Sequence, residues 1–291
     1  MGCDARRVLT DVIRVHASVG DRIEGLIVRR ADQLGSVMKR FVFSVLLVLI
    51  AVAARGDDLP ATIAKVKPSI VGVGTFMAVR QQQHQMRGTG FVVGGGNHVV
   101  TNSHVVPREL DDGRRETVAV FFPAKGNTAN VRTAKVVKRD IARDLCLLRF
   151  DGPGGRSMRL GRDKDVREGV LYAFTGFPIL NVLGLHPVTH RGIVSAISPI
   201  VIPVSSGKQL KRDVLTKLAR PFDVFQLDAT AYPGNSGSPL YQVGSGRVVG
   251  VINSVFVKKT KEMAISAPSG ISYAIPVSYV RNLLKAAGVN F

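Results

Sequence analysis

The chain has 291 residues, of which 45% are hydrophobic, with 30 glycines, 14 prolines and no tryptophan. This composition can bury a substantial core in one large domain or two modest lobes, and it excludes a disordered chain and a membrane protein with several spans. Lysine and arginine number 40 against 21 aspartates and glutamates, a formal net charge of +19 that attracts polyanions in general. No basic run interleaved with aromatic residues is present, so the sequence does not predict dedicated nucleic-acid binding.

The two cysteines, Cys3 and Cys146, lie far apart in the sequence and do not form a disulfide framework. Cys146 belongs to the apolar run Leu145–Leu148, which favours a small buried strand residue over a reactive thiol. No cluster of cysteines and histidines has the spacing of metal ligands. The sequence therefore predicts neither a metal nor an organic cofactor.

A basic region, an apolar stretch and small residues follow one another as in a secretory signal: Met38–Arg40, Phe41–Ile50 and Ala51–Ala53. The apolar stretch is shorter than the ~20 residues that a membrane-spanning helix needs. We therefore expect residues 38–54 to be cleaved and the protein to be periplasmic or secreted, with Met38 as the true start and residues 1–37 as an upstream extension. The alternative is a cytosolic N-terminal segment followed by an uncleaved inner-membrane anchor.

From residue 69 onward, short β-branched runs alternate with turns, a pattern that predicts an all-β barrel or sandwich. A short helix is predicted before these runs, over Asp57–Val66, and a closing helix over Val277–Ala287. The predicted strands are Ile70–Val73, Gly90–Val93, His98–Thr101, Val118–Phe122, Ala134–Val137, Leu145–Phe150, Val170–Phe174, Gly192–Ile197, Phe225–Leu227, Leu240–Val243, Val248–Val255 and Ile271–Ile275.

Two polar stretches interrupt the strand pattern. Arg80–Arg87 is rich in glutamine and fits a hairpin loop. Ser205–Pro221 is basic, with apolar residues at the spacing of a short amphipathic helix, and we interpret it as a solvated surface insertion.

The segment Tyr232–Leu240 places Ser236 in a turn flanked by glycines, directly before an apolar strand. Glycine reaches backbone conformations closed to other residues and lets amide N–H groups face a ligand. A serine held in this way can act as a nucleophile, with Gly234, Asn235 and Ser236 forming an oxyanion hole. The same residue types are common in ordinary turns, so the segment by itself fits a hairpin equally well.

A serine nucleophile needs a base, and His104 is the best placed of the six histidines. It follows an apolar strand at the start of a turn, where rigid backbone positions a side chain that opens to a cleft. Without the serine turn, a structural histidine would be the simpler interpretation.

Asp144 is the candidate for the acid that orients this base, because it lies at the mouth of the apolar strand Leu145–Leu148. Asp140 is a competitor four residues earlier. It follows Lys138 and Arg139 and has no strand directly after it, so we expect Asp140 to form a surface ion pair.

His104, Asp144 and Ser236 occur in the chain order of the chymotrypsin-like proteases. The sequence also resembles the HtrA/Deg-type bacterial serine proteases over roughly residues 70 to 280. Six segments carry this resemblance, in the family's order: Thr101–Val106, Arg143–Leu145, Arg191–Ser195, Gln226–Ala229, Pro233–Gly237 and Gly270–Pro276.

The resemblance implies a chymotrypsin-like protease domain over residues 55–291, built from two six-stranded antiparallel β-barrels and a C-terminal helix. The barrels are expected at about residues 69–160 and 165–280, with the site in the cleft between them. Ser238 replaces the second glycine of the usual Gly-Asn-Ser-Gly-Gly-Pro block, but glutamate-specific relatives of the V8 type share this serine. The chain ends soon after the last strand, so a PDZ domain is not expected.

By resemblance, the chain is a serine endopeptidase that forms an acyl-enzyme on Ser236 with His104 as base and Asp144 as orienting acid. The residue before the cleaved bond, P1, is expected to be small or medium-sized and apolar, since Thr230 stands where trypsin-like enzymes carry an acid and Ile252 where glutamate-specific ones carry a histidine. The pocket for P1 is implied to be lined by Thr230, Ala231, Ile252, Asn253, Ser254 and Val255.

The expected substrates are peptides or unfolded proteins, including exported or misfolded ones. The alternative is a catalytically latent or inactive relative that binds partner proteins, or polyanions at the cell envelope through weak contacts of the basic surface. The sequence leaves the oligomeric state open.

Overall fold

The structure is a computed structural model that describes residues 58–124, 126, 128–179, 184–199, 222–253 and 270–291. The predicted extension, the predicted signal segment and the predicted insertion at 205–221 lie outside these residues. No helix within the described ranges is long and apolar enough to cross a membrane.

Strands from the first half of the described chain form one closed six-stranded antiparallel barrel, with the spatial order β1-β2-β3-β6-β5-β4. These strands are β1 (Ile70–Phe76), β2 (His84–Val93), β3 (His98–Asn102), β4 (Thr117–Pro123), β5 (Ala129–Asp140) and β6 (Leu145–Phe150).

Strands from the second half form another closed six-stranded antiparallel barrel, with the order β10-β11-β12-β9-β8-β7. They are β7 (Leu171–Gly176), β8 (Val188–Pro199), β9 (Asp223–Asp228), β10 (Pro239–Gln242), β11 (Val248–Asn253) and β12 (Ile271–Pro276). The predicted fold, two six-stranded barrels with a C-terminal helix, is therefore confirmed.

Strand β6 shows how the two faces of the first barrel are used. Alternate residues of a strand point to opposite faces, so Cys146 and Leu148 fill the interior of the first barrel. Leu145 and Leu147 instead join a separate apolar cluster that includes residues of the second barrel and of the C-terminal helix. Burial raises the pKa of the Cys146 thiol to about 12, so this cysteine is the buried strand residue that the sequence predicts.

Two helices flank the barrels, close to their predicted bounds. Helix α1 (Leu59–Val66) begins after Asp58, whose carboxylate accepts from the Ala61 N–H at 3.1 Å. Helix α2 (Val277–Ala286) buries Val277, Val280, Leu283 and Leu284, which share one helical face. Gly288, with φ of +67°, follows α2 in the left-handed conformation that commonly ends helices.

Several strands are longer than predicted, most clearly β2. The polar stretch Arg80–Arg87 is only partly a loop, because Gln85 and Met86 already pair with Thr75 and Gly74 of β1. The first residues of β2 are exposed and polar apart from the half-buried Met86, so their side chains give no alternating apolar signal. The backbone pairing that extends this strand depends on the partner strand and not on local sequence.

Thr89 of β2 joins the first barrel to the serine turn of the second. Its N–H donates to the Ser236 carbonyl at 2.9 Å, and its hydroxyl donates to the Gly234 carbonyl at 2.7 Å. The same hydroxyl oxygen accepts from the Phe177 N–H at 3.0 Å, and Thr101 donates its hydroxyl to the Thr89 carbonyl at 2.6 Å. Every polar group of this fully buried residue thus has a partner.

We predict that Thr89→Val lowers the free energy of unfolding by about 1–3 kcal/mol, because it leaves the Gly234 carbonyl and the Phe177 N–H buried without a partner. Valine keeps the shape and the β-branching of threonine. Urea unfolding measures the change, with Thr117→Val as the matched control, since the buried Thr117 hydroxyl has no hydrogen-bond partner among the described residues. Equal losses in the two variants would contradict the importance of this junction.

Candidate active site

His104 lies in a single 3₁₀ turn, Ser103–Val105, which follows strand β3 directly. The Arg139 guanidinium fixes this turn and the two residues after it by donating to three carbonyl oxygens. These are the carbonyls of Ser103 at 3.0 Å, Val106 at 3.0 Å and Pro107 at 2.7 Å. Arg139 is not predictable as part of the site from the sequence, because a basic residue near the end of a strand gives no local signal of its partners.

Asp144 occupies a tight turn before β6, with φ of +55°. This left-handed conformation is uncommon outside glycine, although aspartate tolerates it better than most residues. The Asp144 carbonyl accepts from the Ser103 N–H and from the Asn102 side-chain amide, each at 3.0 Å. The turn that carries the acid is therefore bonded directly to the turn that carries the histidine.

The side chain of Asp140, the competing acid, contacts Arg143 and not His104. Its carboxylate pairs with the Arg143 guanidinium at 3.0 Å and accepts from the Arg143 N–H at 3.1 Å. This is the surface ion pair that the sequence predicts, so Asp144 is the acid beside His104.

The Asp144 side chain is 9% exposed, and its carboxylate takes donors from both barrels. Its Oδ1 accepts from the His104 main-chain N–H at 2.9 Å, and its Oδ2 lies 2.6 Å from His104 Nδ1. Oδ2 also accepts from the Asn253 side-chain amide at 2.7 Å. Because an ionised carboxylate only accepts, the proton of a neutral His104 ring is on Nδ1, which leaves Nε2 as the basic nitrogen.

The serine turn between β9 and β10 depends on two glycines in positive φ, Gly234 at +100° and Gly237 at +89°. A Cβ on Gly237 would lie 2.0 Å from the Thr89 carbonyl oxygen, so only glycine fits there. The Gly237 N–H donates to the Ile252 carbonyl at 2.9 Å, and the Ile252 N–H donates to the Ser238 carbonyl at 2.8 Å. These bonds fix the turn against β11.

The histidine turn and the serine turn meet over Gly88 of β2. A Cβ on Gly88 would lie 2.7 Å from a methyl group of Val105 and 2.9 Å from the Ser236 carbonyl oxygen. The turn that carries Ser236 therefore lies against the turn that carries His104, which Asp144 contacts. His104 and Asp144 belong to the first barrel and Ser236 to the second.

The peptide between Pro233 and Gly234 has a defined orientation. The Pro233 carbonyl accepts from the Ile179 N–H at 2.8 Å, and the described residues contain no cis peptide bond. In a trans peptide the N–H points opposite to the C=O, so the Gly234 N–H faces away from Ile179. Ile179 itself has φ of +47°, a rare conformation for a β-branched residue.

Asn235 differs from the other two residues predicted for the oxyanion hole. Its N–H donates to the Tyr232 carbonyl at 3.0 Å, and its carbonyl accepts from the Ser238 N–H at 3.0 Å. The residue is fully buried. Asn235 therefore stabilises the turn by internal hydrogen bonds, and its N–H, which already donates to Tyr232, does not point to an oxyanion.

The residues predicted to line the P1 pocket separate into three groups. Thr230 and Ala231 are half-buried, and the Ser272 hydroxyl accepts from the Ala231 N–H at 2.8 Å. Ile252 is fully buried in the core of the second barrel, and Asn253 directs its amide to Asp144, so neither side chain is exposed at a pocket wall. Ser254 and Val255 lie outside the described residues.

A cavity of about 300 Å³ opens beside the histidine. It is lined by Ser103, His104, Val106, Pro107, Arg108, Ile141 and Asp144. Ile141, which is 39% exposed, and Val106 and Pro107 give this cavity apolar lining.

The described residues contain no group of three or more histidine, cysteine, aspartate or glutamate side chains that would hold a metal ion. The chemistry that the arrangement offers is that of an oriented imidazole and a hydroxyl held beside main-chain donors. Such a set is suited to nucleophilic acyl transfer.

Curated relatives align with most of this chain at about 30% identity. A protein described as probable periplasmic serine endoprotease DegP-like, from Pseudomonas savastanoi pv. phaseolicola, is 29% identical over 212 residues, which are 72% of this chain and 37% of that protein. Protease Do-like 1, chloroplastic, from Arabidopsis thaliana is 30% identical over 227 residues, 75% of this chain and 44% of that protein. The chain spans less than half the length of these relatives.

Solved structures share the fold. The HtrA-type protease AlgW with decapeptide superposes with a TM-score of 0.57 at 22% identity, over 78% of this chain and 66% of that one. AlgW with tripeptide gives a TM-score of 0.55 at 21% identity, over 79% of this chain and 63% of that one.

A sequence profile described as trypsin-like peptidase domain matches residues 88–251, more than half of the chain. This range includes His104, Asp144 and Ser236. The chain therefore belongs to the trypsin-like peptidases, as a distant homologue of the HtrA/DegP-like serine proteases.

Proposed function

We propose that this chain is a serine endopeptidase that cleaves peptide bonds through an acyl-enzyme on Ser236. The observation that carries the proposal is the contact of 2.6 Å between His104 Nδ1 and Asp144 Oδ2, beside the Ser236 turn. This contact sets the tautomer in which Nε2 accepts a proton, as a general base requires.

In the proposed reaction, Ser236 Oγ attacks the carbonyl carbon of the substrate while His104 Nε2 takes the hydroxyl proton. Asp144 holds the ring and stabilises the imidazolium that forms. His104 then gives this proton to the leaving amine, and a water molecule releases the acyl group with His104 again as base.

The oxyanion of the tetrahedral intermediate needs hydrogen-bond donors. The Gly234 N–H is suited to this role because the Ile179 bond to the Pro233 carbonyl turns that N–H to the opposite side of the peptide. The Ser236 N–H is the second proposed donor. In a comparable protease the loss of one such donor costs about 2.7–4 kcal/mol of transition-state stabilisation.

The proposed substrates are unfolded or peptide segments of exported proteins. The AlgW structures named above are described with bound peptides, which agrees with this substrate class. In this proposal an extended peptide binds beside His104, with one of its side chains in the cavity that Pro107 and Ile141 line.

We predict that a fluorophosphonate probe labels Ser236 and that Ser236→Ala abolishes the labelling, because only an activated serine attacks the phosphorus. Mass spectrometry of the labelled peptide identifies the site. Ser195→Ala is the matched control, since Ser195 is exposed on β8 and should not affect labelling.

Labelling that persists in Ser236→Ala would contradict the assignment of the nucleophile. A protein that is folded, yet unlabelled at every pH and with unfolded protein added, would favour the alternative, a latent or inactive relative that binds its partners.

For specificity, we predict cleavage mainly after valine, alanine or leucine in a peptide library, because Thr230 offers no charge to a P1 side chain. Thr230→Asp should raise the share of cleavage after lysine and arginine, since it places a carboxylate at the position where trypsin-like enzymes carry one. Cleavage by the unmodified protein mainly after lysine, arginine or glutamate would contradict this prediction.

We also propose export to the periplasm or beyond, on the basis of the signal-like residues 38–54. The name of the Pseudomonas relative describes a periplasmic protein, which agrees with this proposal. N-terminal sequencing of the natural protein should find a start near Arg55. A start at Met1 would contradict cleavage and favour a membrane anchor.

A further inference from the structure

Beneath the serine turn, the Asn235 side chain is held in a way that the proposed reaction does not explain. The residue is fully buried between Gly234 and Ser236. Its amide nitrogen Nδ2 lies 3.5 Å from His190 Nε2, while its Oδ1 has no hydrogen-bond partner among the described residues. A buried amide needs partners to offset its loss of water, so the contact with His190 is important to it.

His190 lies on β8 in an aromatic environment. Its ring stacks on Phe174 with centroids 4.9 Å apart and planes 17° apart, and the Tyr232 phenol ring is tilted against it at 6.2 Å. Phe174 is the partner of His190 across β7 and β8, and Tyr232 belongs to the serine turn. Among the ring contacts of this imidazole, Tyr232 is the titratable residue. Burial lowers the pKa of His190, which favours the neutral ring.

A neutral His190 with its proton on Nδ1 presents a lone pair at Nε2. This lone pair is the acceptor that the Asn235 Nδ2 requires. The Asn235 backbone is hydrogen-bonded to Tyr232 and Ser238 inside the turn. A fixed Asn235 side chain therefore also fixes the backbone of the neighbouring residues.

Protonation of His190 would break the hydrogen bond from the Asn235 amide, because His190 Nε2 would then be a donor that faces another donor. The Asn235 amide would have to rotate, presenting Oδ1 to His190 and Nδ2 to the region of Gly176. A Cβ on Gly176 would lie 2.0 Å from Ser238 Oγ and 2.9 Å from Asn235 Oδ1, so the two oxygens are neighbours over this glycine. Ser238 Oγ is likewise buried without a partner within the described chain.

The serine at position 238, where the family's usual block has glycine, therefore has a physical consequence. Its hydroxyl can accept from the rotated amide, whereas a glycine would offer nothing there. The three side chains form a series, His190, Asn235 and Ser238, in which the direction of the Asn235 amide depends on the proton of His190.

We infer that His190 is a positioning residue, whose neutral ring holds the Asn235 amide and thereby keeps the Gly234–Ser236 turn in the geometry that receives an oxyanion. The inference rests on the proposed function, since it concerns the same turn. His190 contacts neither the substrate nor the reacting atoms, and it acts through Asn235.

The test compares His190→Gln with His190→Phe by the second-order rate of fluorophosphonate labelling. Glutamine places an acceptor oxygen near the position of Nε2, so His190→Gln should keep the rate within about threefold. Phenylalanine keeps the stacking on Phe174 but removes the acceptor, so His190→Phe should lower the rate by about tenfold or more. His84→Phe is the matched control, because His84 also packs against phenylalanine rings but lies at the start of β2.

The pH profile separates a positioning role from a merely structural one. Below the lowered pKa of His190, the unmodified protein should lose additional labelling as this ring is protonated, which steepens the acid limb of its pH profile. His190→Gln should lack this additional loss. Urea unfolding identifies any variant that has simply lost stability.

Equal labelling rates and equal acid limbs for the unmodified protein, His190→Gln and His190→Phe would overturn the inference and leave the proposed function intact. A loss in His190→Phe that matches its loss of folded protein would also overturn it. Absence of labelling in the unmodified protein would instead count against the proposed function.

Discussion

The Asp144 carboxylate is the constraint on which the site depends. It accepts from the main chain and the ring of His104, which is 40 residues away in the sequence, and from Asn253, which is 109 residues away on the other barrel. Because the carboxylate is nearly fully buried, each of these donors is needed to offset the cost of removing its charge from water. One side chain thus fixes the tautomer of the base and contributes to the alignment of the two barrels.

The two closed barrels supply the rigidity that this arrangement needs. A closed sheet has no free edge, so the turns that project from it are held at both ends by paired strands. Thr89 bonds to two carbonyls of the serine turn, and Arg139 bonds to three carbonyls in and directly after the histidine turn. Both turns are therefore fixed through their main chains, and the side chains of His104 and Ser236 remain for chemistry.

The predictable part of this structure is the part encoded by neighbouring residues. The short β-branched runs indicated a barrel or a sandwich, and the resemblance implied two barrels. Gly288 marked the end of the last helix, and the glycines beside Ser236 marked its turn. The contacts of Asn253 and Arg139 were not predictable, because their partners lie 109 and 32 to 36 residues away and depend on how strands pair. The early start of β2 was missed for the same reason, since its polar residues pair through the backbone alone.

The most direct test of this account is the rate at which fluorophosphonate labels Asp144→Asn, compared with Asp140→Asn as the matched control. An amide at position 144 offers a donor to the His104 ring and favours the wrong tautomer, a change that costs about 10⁴-fold in a comparable protease. We predict a loss of this order for Asp144→Asn with the barrels still folded, and a rate within about twofold of the unmodified protein for Asp140→Asn, whose ion pair with Arg143 is only a surface contact. Labelling of folded Asp144→Asn at the unmodified rate would contradict the central role given to Asp144.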